Sequence, residues 1–240
     1  MWIKICGIRD RQTADVVAKL GADAVGLNFY AKTPRQIDVG SAAEVVSRLN
    51  STAVMDSANT SGPVEPVGLF VNHSTDEIVT ICQQSGIGTV QVHGDEPPEL
   101  LAEIQNRLPE LNIIRAFRFG DAGLQPLQEY VTKCNELRVS IWACLVDSHV
   151  EGSYGGTGTT VAWQRLREEF SAVDLPPLIL AGGLDADNVA DAIKTVRPWG
   201  VDTASGVEFS PGQKNPHKVE QFINNARKAF AEIGAIESND

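Results

Sequence analysis

Short apolar runs alternate with longer segments of helical period along the whole chain. Several of the apolar runs are continuous, as expected for strands of a parallel sheet that is buried on both faces. We predict strands near residues 2–6, 24–28, 67–72, 89–93, 113–118, 142–147, 178–181 and 200–204. The segments between them predict helices near residues 11–20, 42–49, 75–84, 98–107, 123–134, 161–170, 186–195 and 216–233.

Eight strand–helix units in 240 residues average about 30 residues each, the ordinary length of a βα repeat. This count favours a closed (β/α)8 TIM barrel with a parallel eight-stranded sheet over an open doubly wound sheet. We therefore predict one α/β barrel domain over residues 1–240. Residues 51–66, rich in Ser, Asn, Gly and Pro, predict an extended surface loop on the face opposite the active site, and residues 235–240 predict a frayed tail.

The charge of the chain bears on its partners. The 31 acidic and 20 basic side chains give a formal net charge of -11, which argues against a nucleic-acid partner. A small phosphorylated molecule stays compatible with this charge, because backbone amides can bind phosphate without net positive charge.

The cellular setting follows from the apolar runs and the cysteines. No apolar run is long enough to span a membrane, and no secretory h-region follows the first residues, so we expect no membrane partner. The four cysteines, Cys6, Cys82, Cys134 and Cys144, lie far apart and form no C-x-x-C pair. We expect reduced thiols and a cytoplasmic protein.

Active sites of such barrels form where the strands end, so the residues to inspect follow each apolar run. Cys6 ends the first predicted strand and Asp147 the sixth. A cysteine in an apolar strand is more often a small core residue, and an aspartate there often caps a turn. At one rim, however, a thiol and a carboxylate suit paired acid–base catalysis.

Three glycine-rich turns fall at the same predicted rim. One tight turn alone would favour a purely structural interpretation, but glycines also let successive N–H groups converge on an anion. Phosphate sites made by the loops after strands seven and eight recur in barrels. We therefore predict a phosphate site that includes Gly156, Gly158, Gly182, Gly183, Ser205 and Gly206.

Two arginines and a histidine complete the candidates. Arg35 follows a proline in a polar loop, where it is either a solvated surface residue or the partner of a substrate carboxylate. His93 and Arg118 end the fourth and fifth strands and are further candidates for substrate contact. Only His93 of four histidines clearly sits at a strand end, so the sequence predicts no metal site.

A series of motifs occurs in order over nearly the whole chain. They are KICGIRD at 4–10, GLNFYAKTPR at 26–35, VGLFVN at 67–72, VQVHGDE at 90–96, LVDS at 145–148, GGTG at 155–158, LAGGL at 180–184, VDTASGVE at 201–208 and the SPGQK segment that begins at Ser210. Together they resemble the phosphoribosylanthranilate isomerases of tryptophan biosynthesis, and their combination is specific although no single fragment is.

The resemblance implies a (β/α)8 barrel that needs no metal or organic cofactor and acts on a small phosphoribosyl substrate. The implied reaction is the Amadori rearrangement of N-(5'-phosphoribosyl)anthranilate to 1-(2-carboxyphenylamino)-1-deoxyribulose 5-phosphate. It implies Cys6 as general base, Asp147 as general acid, Arg35 as the partner of the anthranilate carboxylate, and the glycine-rich turns as the phosphate site. Ala204 stands where the family usually has a serine, so one phosphate contact of about 1 kcal/mol is expected to be absent.

Two alternatives stay open. The histidine-pathway isomerases, including dual-substrate versions, carry out the same rearrangement on a larger bisphosphate, but they resemble a repeated barrel with an aspartate on strand one, where this chain has Cys6. A non-catalytic barrel that binds a phosphorylated ligand is the other alternative, and the presence of both Cys6 and Asp147 weighs against it. The sequence is compatible with a monomer or a homodimer.

Overall fold

The computed structural model describes residues 1–51, 63–147 and 157–237. Its strands are β1 Trp2–Cys6, β2 Ala24–Asn28, β3 Glu65–Phe70, β4 Thr89–Val92, β5 Asn112–Arg118, β6 Ala143–Asp147, β7 Leu178–Ala181, β8 Gly200–Thr203, β9 Glu208–Ser210 and β10 Gln213–Lys214. Its helices are α1 Arg11–Lys19, α2 Val39–Leu49, α3 Thr75–Ser85, α4 Pro98–Arg107, α5 Gln125–Glu136, α6 Thr157–Ser171, α7 Val189–Val196 and α8 Pro216–Glu237, with a short 3-10 helix at Ser205–Val207.

The first eight strands form a closed parallel barrel in chain order, with β1 paired to β8. The prediction of a (β/α)8 barrel is therefore confirmed. The small antiparallel hairpin of β9 and β10, which lies between β8 and α8, was not predicted. No helix in the described parts of the chain is both long and apolar enough to cross a membrane.

The predicted elements are present, with shifts at their ends. The strand β3 begins at Glu65, so the last two residues of the predicted 51–66 loop belong to the barrel, while residues 52–62 of that loop lie outside the described residues. The helix α5 begins at Gln125 rather than at residue 123. The helix α8 continues to Glu237, into the segment expected to be frayed.

Side-chain caps set several helix starts. Asp38 ends the loop before α2, and its carboxylate accepts a hydrogen bond from Ser41 N at 2.9 Å. Ser74 and Glu77 form a reciprocal capping box at the start of α3. Such caps satisfy N–H groups that the helix itself leaves without acceptors. All these helix starts lie at the carboxyl ends of the preceding strands, so the caps fix the loops at the rim of the barrel.

The side chains of each strand alternate between the helix layer and the barrel interior. Ile3 and Ile5 of β1 are fully buried against the helices, and each such side chain contributes about 1.5–3 kcal/mol by its burial. Three tryptophans, Trp2, Trp142 and Trp199, pack together at the amino end of the barrel with ring centroids 5.2–5.8 Å apart. This aromatic layer fills one end of the barrel, and the opposite end holds the polar residues described next.

Candidate active site

A buried ion pair occupies the interior of the barrel below Cys6. Lys4 and Cys6 are two residues apart on β1, so both side chains point into the barrel. The register of β1 with β8 places Lys4 opposite Asp202. The ammonium of Lys4 donates to Oδ1 of Asp202 at 2.8 Å, and Lys4 is 0% exposed. Sequence analysis missed both residues, because the sequence does not show which side chains of distant strands face each other inside the barrel.

The thiol of Cys6 lies directly above this pair at the mouth of the barrel. Its space is provided by Gly26 on β2, because a Cβ at that position would lie 2.6 Å from Cys6 Sγ. Burial raises the pKa of the Cys6 thiol, while the nearby ammonium of Lys4 opposes that rise by hydrogen bonding and by charge. The site therefore combines a protected thiol with a cation that can stabilise its thiolate form.

Arg35 lies beside Cys6 but is already paired with a protein carboxylate. Its Nε donates to Oε1 of Glu208 at 2.8 Å, and its Nη2 donates to Oε2 at 2.7 Å. The aliphatic part of the side chain crosses Gly7, where a Cβ would lie 2.7 Å from Cδ of Arg35. Sequence analysis placed Arg35 at the rim but did not identify Glu208 as its partner.

The unpredicted β9–β10 hairpin supplies Glu208 and a second cation. Lys214 of β10 is paired with Glu208 of β9, and its ammonium donates to Glu208 Oε1 at 2.8 Å and to the carbonyl oxygen of Ala204 at 2.8 Å. Burial lowers the pKa of Lys214, and its ion pair with Glu208 counters that effect. The Pro211–Gly212 dipeptide is a turn signal, and it is the feature of the sequence that could have predicted this hairpin.

Asp147 ends β6, in register with Arg118 at the end of β5. His93 follows β4, and its Nδ1 lies 2.9 Å from the side-chain amide nitrogen of Gln91. Burial lowers the pKa of His93, although the negative charge of Asp147 opposes that shift. His93 and Asp147 thus both lie where their strands end at the mouth, whereas the Arg118 side chain is exposed.

The predicted phosphate loops are only partly described. Gly182 and Gly183 follow β7 with φ of 93° and 65°, and Ser205 and Gly206 form the 3-10 helix after β8. The hydroxyl of Thr203 donates to the carbonyl oxygen of Leu184 at 2.6 Å, which joins the two loops. Gly158 lies in the first turn of α6, and Gly156 lies outside the described residues.

The groups at the mouth are suited to acid–base chemistry. Cys6 and Asp147 end strands on well-separated parts of the barrel wall, with His93 between them along the rim. Positive charge from Lys4, Arg35 and Lys214 surrounds the thiol side. No group of three or more His, Cys, Asp or Glu side chains suited to a metal ion occurs within residues 1–51, 63–147 and 157–237.

Comparison with known proteins gives consistent matches over most of the chain. The family model described as N-(5'phosphoribosyl)anthranilate (PRA) isomerase matches residues 3–225. A protein of that name from Trichlorobacter lovleyi is 37% identical over 229 residues, covering 95% of this chain and 98% of the relative. The crystal structure of phosphoribosyl anthranilate isomerase from Thermotoga maritima superposes with a TM-score of 0.75 at 32% identity, covering 95% of this chain and 99% of that one.

One solved structure of similar fold contains a ligand. It is a phosphoribosyl anthranilate isomerase in complex with reduced 1-(o-carboxyphenylamino)-1-deoxyribulose 5-phosphate. The TM-score is 0.73 at 29% identity, and the match covers 95% of this chain and 99% of that chain. That ligand carries a carboxylate and a phosphate, the two anionic groups for which sequence analysis had predicted separate sites.

Proposed function

The chain belongs to the N-(5'-phosphoribosyl)anthranilate isomerase family, and from this premise we propose that it catalyses the Amadori rearrangement of N-(5'-phosphoribosyl)anthranilate in tryptophan biosynthesis. The product is 1-(2-carboxyphenylamino)-1-deoxyribulose 5-phosphate. The observation that best supports this activity is the position of Cys6, a buried thiol at a strand end beside the Lys4 ammonium.

Asp147 acts first in the proposed reaction, as general acid. It donates a proton to the furanose ring oxygen, the bond from that oxygen to C1′ breaks, and the nitrogen lone pair forms the C1′=N bond of a protonated Schiff base. A carboxyl group at the rim, in the field of neighbouring polar groups, is suited to such a transfer.

Cys6 then acts as general base. Its thiolate removes the proton from C2′, and the electron pair of that C–H bond forms a C1′=C2′ bond as the iminium becomes a neutral enamine. Tautomerisation moves one proton from the C2′ hydroxyl to C1′ and gives the ketone. The ammonium of Lys4 lowers the energy of the thiolate on which this step depends.

Substrate anions are bound away from the reacting carbons in this proposal. The anthranilate carboxylate contacts Arg35, and the phosphate contacts backbone N–H groups of the loops after β7 and β8. Gly182 and Gly183 support this assignment, because within the described residues their N–H groups donate to no other acceptor.

A fluorescence assay tests the proposed function. The substrate is generated from anthranilate and phosphoribosyl pyrophosphate, and the loss of its fluorescence is followed with wild type, Cys6→Ser and Asp147→Asn. Wild type should accelerate the loss, and each variant should reduce kcat by about 10²- to 10⁴-fold, the usual contribution of one acid–base group.

The controls make the same chemical changes away from the mouth. Cys82→Ser alters a buried thiol of α3, and Asp174→Asn alters an exposed carboxylate between α6 and β7. Both should keep kcat within about twofold of wild type, since neither contacts the rim. Folded wild-type protein without any activity would reject the proposal and favour the histidine-pathway substrate or a binding role.

A further inference from the structure

The guanidinium of Arg35 uses only one of its edges to bind a protein carboxylate. Glu208 binds the side formed by Nε and Nη2. An arginine has five N–H donors in a fixed plane, so this side-on contact uses two and leaves the end-on pair of Nη1 and Nη2 hydrogens for a second carboxylate. Nη1 donates to no acceptor within the described residues, and the Arg35 side chain is 21% exposed.

Charge balance distinguishes this arrangement from an ordinary ion pair. Arg35 and Glu208 alone would neutralise each other and attract no anion. The ammonium of Lys214, whose side chain is 2% exposed, also binds Glu208, so the three groups together keep one net positive charge. Hydrogen bonds from Arg35 and Lys214 outweigh the effect of burial and keep the pKa of Glu208 below its ordinary value, so the carboxylate is charged at neutral pH.

We propose that Glu208 is a positioning residue for substrate specificity: it holds Arg35 side-on so that the end-on fork of the guanidinium receives the carboxylate of an N-aryl aminosugar phosphate. This inference rests on the proposed function and adds the group that orients Arg35. Lys214 supports the same geometry by fixing Glu208 and cancelling its charge. The fixed fork lowers the entropy cost of binding a planar carboxylate, which a freely rotating arginine would have to pay on each encounter.

The test compares two substrates that differ only in the aryl carboxylate. One is made from anthranilate and phosphoribosyl pyrophosphate, and the other is N-(5'-phosphoribosyl)aniline. Glu208→Gln keeps the shape of the side chain but removes its charge and one acceptor for Arg35. KM for the anthranilate-derived substrate should rise about tenfold or more, the effect of one hydrogen bond to a charged group, with kcat changed less.

The aniline-derived substrate provides the discriminating readout. Its KM should be the same for wild type and Glu208→Gln within about twofold, because it has no carboxylate for the fork to bind. The double variant Arg35→Met with Glu208→Gln should match Arg35→Met alone, since Glu208 acts through Arg35. Glu208→Asp, which keeps the charge on a shorter side chain, should be intermediate. The matched control is Glu65→Gln at the opposite end of the barrel, whose carboxylate accepts from Thr89 Oγ1 at 2.6 Å.

Failure of this inference and failure of the proposed function give different results. Two results with an active wild type would overturn the role of Glu208 alone. In the first, Glu208→Gln has the same KM values as Glu65→Gln. In the second, Glu208→Gln raises KM equally for both substrates. A folded wild type that turns over neither substrate would overturn the proposed function and this inference together. If Glu208→Gln does not fold, the test uses Glu208→Asp. A Glu208→Asp variant with the KM and the substrate selectivity of wild type would also contradict the proposal.

Discussion

Lys4 places an ammonium group in the interior of the barrel, where TIM barrels in general pack mostly bulky branched apolar side chains. It is fully buried, and the Asp202 carboxylate 2.8 Å away supplies the opposing charge. Removing such a group from water is costly, and a close partner with good geometry is needed to offset that cost. Burial by itself lowers the pKa of Lys4, but the charges and hydrogen bonds of Asp202 and Cys6 together outweigh burial and raise the pKa above its ordinary value.

The stability of the protein should depend strongly on this pair. Lys4→Met leaves Asp202 buried without its counter-charge, and we expect the free energy of unfolding in urea to fall by about 3–5 kcal/mol. Replacing both residues, Lys4→Met with Asp202→Leu, should recover most of that loss because no buried charge remains. A double variant that is no more stable than Lys4→Met would contradict the assignment.

The pH dependence of that effect has a definite sign. Because the folded-state pKa of Lys4 lies above its ordinary value of 10.5, the stabilisation is fully present below that value. It is lost only as the pH rises through the higher folded-state pKa. The difference between wild type and the double variant Lys4→Met with Asp202→Leu, which has no buried charge left at this site, should therefore be constant from about pH 6 to 9.

At the scale of elements, the β9–β10 hairpin carries two of the five charged side chains described around the thiol, Glu208 and Lys214. Its turn contains Gly212 with φ of 81°, a left-handed conformation that favours glycine. A Cβ at Gly212 would lie 2.5 Å from the carbonyl oxygen of Pro34, the residue before Arg35. The hairpin therefore contacts the β2–α2 loop through its turn as well as through the Glu208–Arg35 pair.

This packing predicts a defect in substrate binding from a change that touches no substrate. Gly212→Ala should displace the hairpin and the Arg35 loop together and raise KM for the anthranilate-derived substrate several-fold, by about 1 kcal/mol of binding free energy. Gly88→Ala, at a position with no atom within 4 Å of the added Cβ, is the matched control and should leave KM unchanged. Steady-state kinetics on the two variants makes the comparison. An unchanged KM in Gly212→Ala would show that the turn of the hairpin does not influence the position of Arg35.

Elements with strong apolar runs were predicted well, and weak ones were not. The strands β1, β2 and β7 match their predicted bounds because each is a nearly continuous apolar run. The hairpin strands have three and two residues and are mostly exposed, so no hydrophobic periodicity marks them. The start of α2 was predicted three residues late, because Gly40 and Ser41 are poor helix formers, and the cap at Asp38 is what starts the helix before them.

At the scale of the whole molecule, the barrel could be predicted because the count of strand–helix units fixes its closure. The position of Cys6 at the rim followed from the strand end alone. The charged groups around it could not be found in that way, because Asp202 and Glu208 approach Lys4 and Arg35 only after strands distant in the chain become neighbours. Sequence identifies what ends a strand, but not what lies across the barrel from it.

The buried thiols should make the whole protein sensitive to alkali. Cys6, Cys82, Cys134 and Cys144 are all buried, and burial raises the pKa of Cys82 and Cys144 to about 12 and that of Cys134 to about 11. Their contribution to stability is fully present below the ordinary thiol pKa of 9.0 and is lost as the pH rises towards the folded-state values. Each thiol should cost about 1.4 kcal/mol per pH unit within that window.

Urea unfolding under reducing conditions at about pH 8 and about pH 10.5 measures this loss. Lysine and tyrosine side chains also titrate in this range, so the control is a variant with Cys82→Ala and Cys144→Ala. Its stability, although lower at both pH values, should fall less between them than that of wild type. Equal decreases for the two proteins would show that the thiols ionise alike in the folded and unfolded chains.

The pairing of β1 with β8 also has a consequence for the order in which the protein is made. Lys4 and Asp202 are 198 residues apart, so a chain growing from its amino terminus carries the lysine through most of its synthesis before the aspartate exists. Until the ribosome has added β8, β1 has a charged residue and no partner with which to bury it, and the Cys6 thiol lacks its enclosure. A nascent chain, or one truncated before β8, is therefore expected to be inactive, because the barrel closes only when its eighth strand has been made.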